Sequence, residues 1–148
     1  MSLNKQLTDH MKQAMKEKDK TRLSVIRMLR AALQNEAINQ GVDTLSEDDE
    51  VMILSRQVKQ INESLTEFKS AGRDDLVEKS EQELAILEQY LPEQLTEEEI
   101  EEIVKKAIES TGATSKKEFG KVMGAVMPQV KGKADGSQVQ KLVQQLLP

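Results

Sequence analysis

The 148 residues carry a formal net charge of -5, with 32% charged and 37% hydrophobic side chains. That length suits one domain, or a domain with a small appendage, and excludes a large catalytic barrel. Zero cysteines exclude disulfides, thiolate metal sites and cysteine nucleophiles, and the single histidine, His10, excludes any site built on two imidazoles.

Apolar residues recur at spacings of three and four from end to end, which predicts helices and requires no strand. Leu3, Leu7, Met11, Ala14 and Met15 form the first stripe. Asp19 is the expected N-cap of a second helix carrying Leu23, Ile26, Leu29, Leu33 and Ala37, closed by Gly41. Ser46 and Asp49 have the shape of a capping box before the longest stripe, Val51, Leu54, Val58, Ile61, Leu65 and Phe68. Gly72 permits a left-handed turn, and Asp74 or Asp75 opens a fourth helix with Leu76, Ser80, Leu84, Leu87 and Leu91.

Pro92 interrupts the pattern, because proline lacks an amide hydrogen and disfavours helix in the residue before it. Thr96 with Glu99, and Ser115 with Glu118, are predicted capping boxes for two further helices. The first carries Ile100, Ile103, Val104 and Ala107 and ends at Gly112; the second carries Phe119, Val122, Met123, Val126 and Met127 and is expected to end at Pro128. Asp135 caps a last helix with Val139, Leu142, Val143 and Leu146. The expected architecture is all-α, with an N-terminal antiparallel bundle of about four helices over residues 1–91 and a small three-helix subdomain over 95–148.

Charge is unevenly spread. Residues 1–42 hold eight basic and four acidic side chains, residues 43–110 seven and 20, and residues 111–148 six and two. A polyanion could engage either basic end despite the acidic average, since binding draws on local phosphate neutralisation. In the last segment Lys131 and Lys133 flank Gly132 just before a helix N-terminus, with Lys116, Lys117 and Lys121 earlier in the same segment. Lysines there contact phosphate, or they simply solvate the outer face of amphipathic helices. Gly132 likewise serves a phosphate or only a turn. With aromatics at 2%, namely Phe68, Tyr90 and Phe119, recognition by base stacking is disfavoured.

Gly120 and Gly124 stand four apart inside a predicted helix, each costing about 1 kcal/mol relative to alanine. Close packing of a neighbouring helix is the favoured compensation, and approach of a sugar or phosphate the alternative. Met123 and Met127 share a face with Phe119 and are expected to fill the core.

Chemistry tested against spacing mostly fails. A P-loop needs glycine where Met127 stands and Ser or Thr where Ala134 stands. A calcium loop lacks its alternating oxygen ligands after Asp135 and Gly136. A di-metal carboxylate bundle needs Glu three residues before a histidine, where Leu7 precedes His10. His10 is expected on the surface of the first helix, and the acidic runs at 47–50 and 97–99 are expected to complement helix dipoles. No catalytic residue, metal or cofactor is expected. No stretch approaches the ~18 apolar residues of a membrane span, so no membrane association is expected. Asn4, Lys5, Thr8 and Asp9 break up any secretory h-region, from which a cytoplasmic location is expected.

The stretch Phe119-Gly120-Lys121-Val122-Met123-Gly124-Ala125-Val126-Met127, followed by Lys131-Gly132-Lys133-Ala134-Asp135, resembles the C-terminal end of the GatB/YqeY family. Supporting strings are Arg22-Leu23-Ser24-Val25-Ile26-Arg27-Met28-Leu29, Ala71-Gly72-Arg73-Asp74-Asp75-Leu76 and Tyr90-Leu91-Pro92-Glu93-Gln94-Leu95, so the likeness covers essentially the whole chain. GatB is the tRNA-recognising subunit of a glutamine-dependent amidotransferase, and its helical tail is the part this chain is similar to. The resemblance implies a two-part helical fold and a tRNA-binding tendency, with an amidotransferase or a tRNA synthetase as partner protein. It does not imply catalysis, because the larger catalytic part of GatB has no counterpart here. Gly136 departs from the proline that GatB tails often carry, which is expected to loosen the Asp135 cap.

Two functions follow as expectations. One is a non-catalytic tRNA-binding module acting through Lys116, Lys117, Lys121, Lys131, Gly132 and Lys133, accessory to aminoacyl-tRNA amidation. The other is a protein-interaction adaptor without RNA binding.

Overall fold

A computed structural model describes residues 2–148. Among them every regular element is helical: α1 (Leu3–Glu17), α2 (Lys20–Gln40), α3 (Glu47–Ser70), α4 (Asp74–Glu88), α5 (Glu97–Thr111), α6 (Phe119–Val130) and α7 (Gly136–Leu146), with one 3-10 turn at Lys116–Glu118. The chain divides into two compact units, Met1–Leu91 and Pro92–Pro148.

In the first unit, α1 packs on α2, and α2, α3 and α4 pack on one another. Leu7 of α1, Val25, Ile26, Leu29 and Leu33 of α2, Ile53, Leu54 and Ile61 of α3 and Leu87 of α4 form its core. The helix ends follow local chemistry. The Asp19 carboxylate accepts the Arg22 amide at 3.1 Å, and Ser46 Oγ accepts that of Asp49 at 3.2 Å. Gly41 and Gly72 take φ of 68° and 69°, a region closed to most side chains, and so let α2 and α3 reverse. Two details depart from the periodicity. Met15 is 47% exposed, because α1 ends two residues later where Lys18 turns left-handed, and Ile53 is buried beside Leu54. The fourth helix starts at Asp74 with Arg73 as a cap residue that offers no acceptor; its guanidinium instead pairs with Asp75 at 3.1 Å.

The second unit packs α5, α6 and α7 around Ile100, Val104, Ala107, Val122, Val126, Val130, Val139, Leu142 and Val143. Thr96 and Glu99 complete a reciprocal capping box, and Gly112 closes α5 at φ 68°. The box expected at Ser115 does not form. The Glu118 carboxylate accepts the Thr114 amide instead, and the chain makes a 3-10 turn before α6. Pro128 does not end α6, which runs on to Val130. Proline removes the bond to the Gly124 carbonyl, but Val130 is buried and holds a final turn, in which the Gln129 side chain also donates to the Ala125 carbonyl at 3.0 Å. Asp135 Oδ1 accepts the Ser137 amide at 3.0 Å, so the cap at Asp135 is intact with Gly136 as the first helical residue.

Candidate nucleic-acid interface

The basic segment lies wholly within the second unit. Lys116 and Lys117 occupy the 3-10 turn, Lys121 the first turn of α6, and Lys131 and Lys133 the turn between α6 and α7; all five are exposed. Gly132 takes φ 74° at the apex of that turn. The turn is held by main-chain groups and by one side-chain amide. Lys133 N–H donates to the Val130 carbonyl at 2.8 Å, the Leu95 amide donates to the Lys133 carbonyl at 2.8 Å, and Gln94 Nε2 donates to the Gly132 carbonyl at 2.9 Å. Its lysine side chains take no part in this fixing.

Electrostatics separate these lysines from those of α5. Lys105 pairs with Glu101 at 3.1 Å and Lys106 with Glu102 at 3.4 Å, both one helical turn apart. Among the described residues, Lys116, Lys117, Lys121, Lys131 and Lys133 enter no ion pair. Their charge is therefore available to an outside anion. The N-terminus of α7 contributes less than its position suggests, because the Asp135 carboxylate already occupies the Ser137 amide and adds a negative charge there.

Gly120 and Gly124 are placed differently from the favoured expectation. Both are exposed, and a Cβ added at either would meet nothing within 4 Å, so no neighbouring helix explains them. They share the outer side of α6 with Lys121, Met127 and Pro128, all exposed. Met127 is 37% exposed, and only Met123 packs against the core. The result is a stretch of helix whose backbone lies bare beside a lysine.

His10 also departs from a plain surface position. It is half-buried, and its Nδ1 lies 2.6 Å from the Tyr90 hydroxyl, which donates when Nδ1 carries no proton and accepts when it does. Burial pushes the Tyr90 phenol above its ordinary pKa of 10.0, opposed by Arg22 close by. A distance of 80 residues separates the partners in sequence, and no local pattern foretells the pair.

These features define a class: a small all-α protein of two helical units, the second of which carries five exposed lysines that enter no ion pair among the described residues. Comparison with known proteins makes the class specific. The family of Yqey-like proteins matches residues 4–147, and the chain belongs to that family. A relative named Altered inheritance of mitochondria protein 41, mitochondrial, from Pyrenophora tritici-repentis is 35% identical over 140 residues, covering 93% of this chain and 76% of the relative. The protein of the same name from Eremothecium gossypii is 35% identical over 85 residues, 57% of this chain and about half (46%) of the relative. That from Saccharomyces cerevisiae strain YJM789 is 29% identical over 126 residues, 81% and 68% respectively.

These names correct the expected cytoplasmic location, since the relatives are mitochondrial proteins by name. The expectation rested on a missing secretory h-region. That pattern speaks to secretion and not to organellar import, whose leaders are amphipathic and Arg-rich. No helix among the described residues is long and apolar enough to cross a membrane.

Proposed function

We propose that the chain is a non-catalytic tRNA-binding module. Lys121, Lys131 and Lys133 hold the RNA backbone, Lys116 and Lys117 flank them, and the main chain around Gly132 approaches a phosphate. The observation that carries this reading is the local excess of basic charge: residues 112–148 hold six basic and two acidic side chains, and Lys116, Lys117, Lys121, Lys131 and Lys133 are exposed and enter no ion pair among the described residues. Unpaired lysines bind by releasing counterions from phosphate, which needs no aromatic platform. The bare backbone at Gly120 and Gly124 supports the same reading, because a sugar or phosphate can approach closer there than over any side chain. The likeness of the 119–135 stretch to the GatB tail supports an accessory role in glutamine-dependent aminoacyl-tRNA amidation, alongside an amidotransferase or a tRNA synthetase.

The test is tRNA binding by fluorescence anisotropy at several salt concentrations. Affinity falls steeply with salt, and the double variant Lys131→Glu/Lys133→Glu binds at least about ten-fold more weakly, while Lys59→Glu/Lys69→Glu on α3 changes it little. Absence of binding at low salt, or equal losses from the two pairs, defeats the reading.

A protein-interaction adaptor is the second reading, favoured by Ile38 and Val42, which stand 67% and 42% exposed at the end of α2. Capture of a protein partner that survives nuclease treatment supports it.

A further inference from the structure

A polar cleft of about 720 Å³ opens in the first unit, between the start of α1, the outer side of α2 and the α2–α3 connection. Its volume falls in the range of small-ligand sites, roughly 300–1,000 Å³. Arg27 and Arg30, three apart on α2, line it, and so do Asp43 of the connection and Glu50 of α3. Ser2 and Asn4 also line it.

The charges within it are unspent. Among the described residues neither arginine pairs with Asp43 or Glu50, although all four share the cleft. Arg30 Nη1 donates to the Met11 sulfur at 3.1 Å, a neutral and weak acceptor. Partial burial, together with the neighbouring Glu47 charge, holds the Glu50 carboxyl above its usual range, so a cation beside it is favourable.

Sign decides the ligand class. A simple anion attracted to Arg27 and Arg30 meets repulsion from Asp43 and Glu50, and a simple cation meets the reverse. A molecule with a carboxylate at one end and an ammonium at the other satisfies both sets, and the planar guanidinium fork matches a carboxylate bidentately. We propose that this cleft binds a small zwitterion, a free amino acid or a short peptide, with its carboxylate on Arg27 and Arg30 and its ammonium on Glu50 and Asp43.

The experiment titrates the full chain by two-dimensional amide NMR with alanine, trialanine, N-acetyl-trialanine and trialanine amide. Saturable shifts of residues around the cleft are expected with alanine or trialanine, and whichever binds more tightly identifies the source as free amino acid or peptide. Acetylation or amidation of that ligand weakens binding about ten-fold or more, equivalent to about 1.4 kcal/mol. Glu50→Gln weakens the unmodified ligand but not its acetylated form, and it raises rather than lowers stability, so lost binding is not unfolding. Arg27→Gln/Arg30→Gln weakens the unmodified ligand but not the amide. Lack of saturable shifts with both alanine and trialanine, equal binding of the blocked forms, or unchanged binding by Glu50→Gln overturns the proposal.

Discussion

The two units are built from different materials. The first buries leucine and isoleucine between helices of 15, 21, 24 and 15 residues, while the second buries six valines between helices of 15, 12 and 11. Valine is a weaker helix former than leucine, and α6 adds two glycines and a proline, so its helicity depends on burial of Val122, Val126 and Val130. Charge differs in kind as well. Residues 1–91 hold 13 basic and 17 acidic side chains, and residues 92–148 hold eight and nine. The near neutrality of the second unit conceals a division between α5, with six acidic and two basic residues, and residues 112–148, with two and six. The basic side chains of the second unit thus fall in the segment that follows α5, and the acidic ones mostly within α5.

Removal of the Leu29 side chain tests the division most strongly. Leu29→Ala costs the first unit about 2–5 kcal/mol, because that side chain is fully buried. Native-state hydrogen exchange is expected to show the loss in α2 and α3 with α5 to α7 unchanged; equal loss in both units means that they unfold as one body.

The bare face of α6 gives the next largest effect. Gly124→Ala has free space for its methyl group and is expected to stabilise the second unit by about 1 kcal/mol in urea denaturation. If tRNA affinity falls while stability rises, the glycine serves an external ligand; if affinity is unchanged, close approach of RNA to α6 is refuted. Thr96→Ala removes one half of the α5 capping box and lowers the stability of the second unit by about 1 kcal/mol, measured the same way.

The smallest effect belongs to Glu50. Its raised pKa means that the fold favours the protonated form, so its contribution to stability is present below the ordinary value of 4.5 and is lost as pH rises through the native value. At pH 7 Glu50→Gln should therefore be more stable than wild type, by only a fraction of 1 kcal/mol because solvent still screens this partly buried carboxylate. The difference should vanish in urea denaturation below pH 4.5.

Helix ends were the most legible features, since each rests on a few adjacent residues. Asp19, Gly41, Ser46, Gly72, Thr96, Gly112 and Asp135 all stand at the ends their chemistry suggests. Ser115 and Pro128 misled because the outcome there depends on other partners: Glu118 turned to the Thr114 amide, and burial of Val130 preserved a turn beyond the proline. Gly120 and Gly124 misled for a complementary reason, since a glycine pair signals close approach without saying what approaches. Of the basic surface, the sequence disclosed position and sign. Ion pairing was legible too: Glu101 and Glu102 stand one helical turn before Lys105 and Lys106, whereas Gly112 and Ala113 stand four residues before Lys116 and Lys117. The polar cleft and the His10–Tyr90 pair join residues far apart in the chain, beyond the reach of any local pattern.

The turn at Lys131–Lys133 is anchored entirely by carbonyls and amides that any residue possesses, together with the amide of Gln94. Shape and charge are thereby uncoupled. Substitution at either lysine alters what the turn attracts without altering where it stands, so natural or engineered change can retune ligand preference there while the scaffold remains constant.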